Sequence, residues 1–221
     1  MSTPPMENDH FDSALLAAAM SLAASQGWRN FTLTDVARHA DFDMGDVRAR
    51  FPFKSSMLLL LGTLADRSSL VDDGSVASPR EALFDRLMRR FDVFQQYREG
   101  VLAVLHALPY DPALATLLGG ATLNSMRWIS DASGVNTRGL EGLVRIHGVT
   151  AVWAYTLRAW EKDDSEDLGG TMAALELALD RAERLGLFRG ATGKDVQPTE
   201  ADLTSDASGH TEPGGWADDE H

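Results

Sequence analysis

The apolar residues of this chain recur at helical spacing along almost its whole length. Leu168, Met172 and Leu175, for example, follow one another at intervals of three or four residues and would form one stripe on a helix. Almost no segment alternates apolar and polar residues with the period of two that is typical of a half-buried strand. The sequence therefore predicts an all-α fold. The expected helices span residues 9–26, 33–40, 44–51, 55–68, 97–108, 112–131, 138–160 and 165–185, with one more that starts at Pro79.

The composition narrows the class of protein. Of the 221 residues, 44% are hydrophobic and 24% are charged, which is an ordinary globular mixture. The absence of cysteine excludes a disulfide scaffold, a thiolate zinc site and a cysteine nucleophile. No apolar run approaches the roughly 18–20 residues that span a bilayer. The first ten residues have neither the basic segment nor the apolar core of a secretory signal, so we expect a cytoplasmic protein.

The net charge of −13 is unevenly distributed. Residues 190–221 hold eight acidic residues and one basic residue, and they contain almost no apolar ones. A segment of this kind cannot bury enough surface to offset its ordering entropy, so we expect a disordered acidic tail. The rest of the chain carries a net charge of −6. An acidic protein has no general attraction to nucleic acid, although a local basic patch can override that.

Two short helices, at 33–40 and 44–51, lie between longer ones and predict a helix-turn-helix unit. Thr32 and Asp35 have the spacing of an N-cap residue and its partner three positions later, and Asp43 and Asp46 repeat that spacing. Pro52 ends the second helix.

The segment FTLTDVARHADFDMGDVRARFPFKSSMLL resembles the DNA-binding domain of the TetR family of bacterial regulators. The likeness covers residues 11–70. It implies a helix-turn-helix domain at 1–70, a larger helical domain at 71–189 and the tail at 190–221. The larger domain would enclose a ligand cavity and form a homodimer through the helices at about 138–160 and 165–185. The likeness rests on Phe31, Thr32, Val36, Ala37, Ala40, Gly45, Phe51 and Lys54.

The resemblance also implies which residues bind operator DNA. Thr32 and Thr34 would meet a phosphate at the start of their helix, and Lys54 would be a second phosphate anchor. Arg48 and Arg50 stand where the family often has an aromatic residue and a histidine, and each could bind phosphate or guanine. The full DNA-binding set is Thr32, Thr34, Met44, Asp46, Arg48, Arg50 and Lys54.

The candidate recognition helix departs from the family pattern in its charge. Asp41 replaces the usual turn glycine, Met44 stands where a small, polar or basic residue is common, and Asp46 stands where a neutral group often faces DNA. A carboxylate near phosphate is repulsive, although it can accept a hydrogen bond from cytosine. Asp43 and Asp46 could instead serve mainly as helix caps.

A ligand pocket needs an apolar lining with a few polar groups. The two histidines among our candidates could orient a polar head group, but ordinary core packing is the favoured interpretation of each residue in the set. The candidates are Leu102, Leu105, His106, Leu123, Met126, Trp128, His147 and Trp153.

The later part of the chain has a second resemblance. It is similar to lipid-binding accessory proteins of ubiquinone biosynthesis, which share the TetR fold and are not known as regulators. The points of likeness are Asp163, Ser165, Asp167, Thr171 and Leu175. The first three of these could simply cap the final helix.

Two functions remain open from the sequence. The first is a ligand-responsive, DNA-binding TetR-type regulator with a small hydrophobic ligand or lipid. The alternative is a lipid-binding accessory protein that does not bind DNA and could contact a membrane at its periphery. No motif of a nucleophile elbow, a zinc protease or a dinucleotide site occurs, and no His and carboxylate pair has metal-site spacing. We therefore expect no catalysis, no metal and no cofactor.

Overall fold

Helices form every regular element in the part of the chain that the computed structural model describes, residues 5–71 and 78–188. No strand occurs within those ranges, which confirms the all-α prediction. The predicted tail at 190–221 lies outside the described residues, and so do residues 72–77. In order, the elements are α1 (Pro5–Gln26), α2 (Leu33–His39), α3 (Met44–Arg50), α4 (Ser55–Ser69), α5 (Pro79–Gln95), α6 (Arg98–Ala107), a 3-10 turn (Leu108–Tyr110), α7 (Pro112–Ala132), α8 (Gly139–Trp160) and α9 (Gly169–Arg184).

Local side-chain caps set the starts of α2, α3, α5 and α7. Thr32 and Asp35 form a reciprocal capping box at α2, and Ser78 and Glu81 form another at α5. Asp43 begins α3 by accepting hydrogen bonds from the backbone N–H groups of the first turn. These short-range signals are readable in the sequence, so the predicted starts of α2, α3 and α5 agree with the structure to within a residue.

The last helix begins at Gly169, four residues later than the sequence predicts. Leu168 adopts a left-handed backbone conformation with φ of 56°, and its side chain is buried. The Asp163 carboxylate accepts hydrogen bonds from the N–H and hydroxyl of both Ser165 and Thr171. These hydrogen bonds close a turn around the Asp163 carboxylate just before α9 begins. Asp163, Ser165 and Asp167 all act as caps, because the latter two accept from the Gly169 N–H.

Two groups of buried side chains hold the helices together. The first group, from α1 to α4, contains Leu15, Leu16, Val36, Val47 and Met57, and it is continuous with the second group in one hydrophobic core. In the second, the rings of Phe91 and Trp153 stack with centroids 4.5 Å apart, and the buried Trp160 lies beside them. The predicted boundary between domains near residue 70 stays a prediction, because α1 packs along α6 and α4 packs along α5.

Within the described residues, no individual helix has the length and apolar character needed to cross a bilayer. One bent pair, Arg98–Tyr110 with Pro112–Ala132 at an angle of 120°, meets that requirement jointly by length and composition.

The lowered pKa of Asp163 allows the turn before α9 to be tested. Hydrogen bonds from Ser165 and then Thr171 lower the pKa of Asp163 to about 2. We predict that Asp163→Asn lowers the free energy of unfolding by about 1–2 kcal/mol at pH 7, because the amide nitrogen of Asn cannot accept these bonds. The folded-state pKa is depressed, so this stabilisation is complete above about pH 4 and is lost as the pH falls toward 2.

Urea denaturation of both proteins from neutral pH downward measures this. The difference between wild type and variant should shrink below about pH 4. Asp164→Asn is the matched control, because the Asp164 side chain is 99% exposed and an exposed ion pair contributes less than about 1 kcal/mol. A difference that stays constant with pH would contradict the assigned role of Asp163.

Candidate nucleic-acid interface and ligand cavity

The turn between α2 and α3 holds an acidic residue in a backbone conformation that usually favours glycine. Asp41 has φ of 57°, in the left-handed region where Asp and Asn are tolerated better than other side chains. The Phe42 N–H donates to the Ala37 carbonyl at 3.0 Å, and the Phe42 ring packs on Phe11 with centroids 4.8 Å apart. The turn therefore fixes α3 against α1 and α2 without the usual glycine.

One face of α3 is buried and the other is open to solvent. Val47 is buried within the helix, and Phe51 is buried directly after it. Met44, Asp46, Arg48 and Arg50 are all exposed. Met44 and Arg48 lie one turn apart and share one exposed side of α3, whereas Asp46 and Arg50 share another, from which Arg50 reaches α1.

Arg50 forms an ion pair with a carboxylate of α1. Its Nε donates to Asp12 Oδ1 at 2.9 Å, and its Nη2 donates to Asp12 Oδ2, so the pair is bidentate. The hydrogen bonds to Asp12 raise the pKa of Arg50. The Arg50 side chain remains 53% exposed, but its charge is already matched.

Lys54 is bound within the fold more completely than Arg50 is. Its Nζ donates to the carbonyls of Trp28 and Phe31, at 2.5 and 2.8 Å, and lies over both rings. Burial lowers the pKa of the Lys54 amine, and Asp111 opposes that shift. Lys54 therefore anchors the loop between α1 and α2, which holds the start of the helix-turn-helix unit.

The other predicted contacts differ in how much the fold uses them. The Thr32 hydroxyl donates to Asp35 at 2.7 Å and belongs to the capping box. Thr34 is half-buried in the first turn of α2. Arg48 donates to the Pro52 carbonyl at 3.3 Å and is otherwise exposed, so it is the least engaged of the three predicted cations.

Three carboxylates surround the start of α3. Asp43 caps the helix by accepting from the N–H groups of Gly45 and Asp46, at 2.7 and 3.2 Å. Asp41 and Asp46 are exposed. The capping interpretation is therefore correct for Asp43, while Asp46 contributes its charge to the open face near the positive end of the helix.

A cavity of about 490 Å³ lies among α4, α5, α6, α7 and α8. This volume suits one small organic molecule. Most of its wall is apolar, with rings from Phe94 and Trp153 and aliphatic side chains that include Leu58, Leu61, Val101, Val104, Leu118 and Leu157.

The cavity wall also contains a buried ion pair. Arg90 Nη1 donates to Asp66 Oδ1, and the Ser125 hydroxyl donates to Asp66 Oδ2 at 2.7 Å. The Arg90 guanidinium lies 5.2 Å from the Trp153 ring and 5.6 Å from the Phe94 ring. Burial lowers the pKa of Arg90, and Asp66 opposes that shift. We refer to Asp66, Arg90 and Ser125 as the polar cluster.

Two of the eight predicted pocket residues, Leu105 and Trp153, line this cavity. Met126 is fully buried in the core, and Leu102 and Leu123 are half-buried away from the cavity wall. The other three are exposed on helix surfaces. His106 pairs with Glu161 at 3.3 Å, His147 Nδ1 lies 3.0 Å from the Leu143 carbonyl, and Trp128 is 61% exposed.

Sequence reasoning missed the polar cluster, although one signal was present. Arg90 falls on the apolar stripe of α5, three residues after Leu87 and beside Phe91, where a charged side chain is unusual. Among the described residues, no group of three His, Cys, Asp or Glu side chains could hold a metal ion.

Solved structures with this arrangement of helices are TetR transcriptional regulators. The regulator from Nitrosomonas europaea matches with a TM-score of 0.67 at 17% identity, over 79% of this chain and 98% of that one. The regulator from Rhodococcus sp. RHA1 matches with a TM-score of 0.56 at 18% identity, over 84% of this chain and all of that one. The protein has the TetR fold. No protein-family model and no curated protein sequence matches the chain.

In this TetR fold, α6 separates the cavity from the helix-turn-helix unit. Val101 and Val104 line the cavity, whereas Gly100 lies directly on α1. A Cβ atom on Gly100 would lie 2.7 Å from the Met20 carbonyl oxygen and 2.9 Å from its Cα. The backbones of α1 and α6 therefore touch at a point that only glycine allows.

We predict that Gly100→Ala lowers the free energy of unfolding by about 2 kcal/mol or more, because backbone atoms of α1 would have to move. Gly120→Ala is the matched control. It lies within α7 with open space around it, and alanine there should stabilise the helix by about 0.5–1 kcal/mol. Thermal or urea denaturation measures both variants. Equal effects of the two substitutions would show that the α1–α6 contact is not tight.

Proposed function

We propose that this protein is a ligand-responsive transcriptional regulator that binds operator DNA through α3. The observation that carries the proposal is the outer face of α3. The side that carries Met44 and Arg48 is open to solvent, the Asp12–Arg50 pair ties α3 to α1, and Lys54 ties the loop before α2 to the start of α4. The likeness to TetR regulators supports the same function.

Within this proposal the predicted DNA contacts have unequal roles. Arg48 makes the main contact with phosphate or guanine, because its guanidinium is the least committed to the fold. Thr34 and Met44 add polar and apolar contacts, and Arg50 presents the exposed part of its paired guanidinium to a phosphate. Lys54 acts as a positioning residue, because both carbonyls that it binds belong to the loop before α2.

The ligand occupies the cavity among α4 to α8. Two helices that line it also reach the helix-turn-helix unit, because Lys54 immediately precedes α4 and α6 lies on α1. A small apolar molecule in the cavity would thus bear on the elements that position α3.

The active form in this proposal is a homodimer through α8 and α9. The outer side of α8 exposes Leu140, Leu143 and Val144, with 84%, 52% and 67% of each side chain accessible. On α9, Leu177 is 44% exposed. Contiguous apolar helix faces of this kind are typical of four-helix interfaces between subunits. Such a dimer would read a palindromic site.

We predict that wild-type protein sediments as a dimer at micromolar concentration and that Leu143→Glu shifts it to monomer, because two carboxylates would be buried at the interface. Leu117→Glu, at an exposed position of α7 that is 40% accessible, is the matched control and should leave the dimer intact. Circular dichroism verifies that both variants are folded. A monomeric wild type would contradict the dimer.

The lipid-binding alternative has one observation in its favour. Asp41 and Asp46 are exposed beside the recognition residues, and two of the three predicted cations are matched within the fold. A TetR-fold protein with this surface could hold a lipid in its cavity and not bind DNA.

A mobility shift against the protein's own upstream region, at low and moderate salt, tests DNA binding. We predict that Arg48→Ala weakens binding by about 1–3 kcal/mol. Asp46→Thr should strengthen non-specific binding, because it removes a like charge from the phosphate field. Arg67→Ala is the matched control, because Arg67 is an exposed cation on α4, outside α3.

Tight wild-type binding that Arg48→Ala leaves unchanged would contradict the role of α3. No binding at low salt, together with an isoprenoid or phospholipid found by mass spectrometry in the purified protein, would favour the lipid-binding function instead.

A further inference from the structure

The polar cluster places charged and polar groups at one end of a mainly apolar cavity. Asp66 and Arg90 both line the cavity, but their side chains are covered to different degrees. The Asp66 side chain is 28% exposed, whereas that of Arg90 is 4% exposed. The carboxylate is therefore the part of the ion pair that a molecule in the cavity can reach.

Asp66 also has unused capacity to accept hydrogen bonds. Its Oδ1 accepts from Arg90 and its Oδ2 accepts from Ser125. A carboxylate offers about four lone-pair sites, so each oxygen can take one more donor. The Nε of Arg90 is not available to a ligand in the same way, because it is buried and closed to solvent. It has no hydrogen-bond partner among the described residues.

The charge of the cluster is already balanced. One guanidinium and one carboxylate face each other in an apolar wall. A cationic ligand would leave an unmatched positive charge there, and an anionic ligand would leave an unmatched negative one. Both are costly in a weakly polar environment. An uncharged group avoids that cost.

We propose that the cavity binds an uncharged, mainly apolar small molecule whose hydroxyl or N–H group donates a hydrogen bond to Asp66. The rings of Phe94 and Trp153 and the surrounding leucines take the apolar body of that molecule. This inference rests on the proposed ligand-binding role of the cavity and adds the chemical class of the ligand.

Four size-matched naphthalenes test the proposal by calorimetry at pH 7, without DNA. 2-Naphthol carries an uncharged donor, 2-methoxynaphthalene carries only an acceptor, 2-methylnaphthalene carries neither, and 2-naphthoate carries a negative charge. A hydrogen bond to a charged acceptor outweighs a neutral one, so 2-naphthol should bind at least about tenfold more tightly than the methyl compound. 2-Methoxynaphthalene and 2-naphthoate should show no such gain.

The double variant Asp66→Leu/Arg90→Met removes the whole ion pair, so that no charge is left unmatched. It should bind 2-naphthol and 2-methylnaphthalene equally. Arg86→Met is the matched control. Arg86 lies one turn earlier on α5 and donates to the Ser69 carbonyl at 2.9 Å, away from the cavity wall. This variant should keep the tenfold preference for 2-naphthol.

Equal binding of 2-naphthol and 2-methylnaphthalene by wild type would overturn the proposal, as would no binding of any of the four. Tightest binding of 2-methoxynaphthalene would assign recognition to a donor, and tightest binding of 2-naphthoate would assign it to a cation. Either result overturns the role of Asp66. Because calorimetry measures the cavity alone, its failure is distinguishable from a failure to bind DNA in the mobility shift.

Discussion

The buried ion pair between Asp66 and Arg90 fixes the arrangement of the helices around the cavity. It joins α4 to α5, Ser125 adds α7, and the Trp153 ring under the guanidinium adds α8. Removing Asp66 alone would leave the buried Arg90 guanidinium unmatched, which typically costs about 3–5 kcal/mol. The polar end of the cavity therefore depends on both residues. The same pair serves stability and sets the chemistry that the cavity presents to a ligand.

Helix α4 links that pair to the helix-turn-helix unit. Lys54 precedes its first residue and holds the loop before α2, and Asp66 follows twelve residues later. At the rise of an α-helix these positions are about 18 Å apart. In the proposed function, a ligand that shifted Asp66 along the axis of α4 would act on Lys54 through this helix. Gly100 provides a second rigid contact, where α6 touches α1.

The sequence predicted what depends on neighbours along the chain and missed what depends on distant partners. The caps at Thr32, Asp43 and Ser78 are local, so the starts of α2, α3 and α5 were predicted well. The pairing of Arg50 with Asp12, 38 residues away, has no local signal. The same holds for the cavity, since helical spacing shows that a face is buried without showing what it faces. Six of the eight predicted pocket residues accordingly lie elsewhere.

If α3 binds DNA as proposed, these distant pairings restrict how it can do so. Arg50 is matched by Asp12 and Arg38 by Asp35, at 3.0 Å, so Arg48 is the cation of α3 that no carboxylate matches in the contacts described above, and Asp41 and Asp46 add exposed negative charge to the same region. Affinity that comes from counterion release grows with the number of phosphates neutralised. Few cations are free for that purpose on this surface. Binding through α3 must therefore depend more on direct contacts with base edges, where Arg48 can pair with guanine and Asp46 can accept from cytosine. The acidic helix would then trade general affinity for discrimination between sequences, because its carboxylates repel every site that offers them no donor.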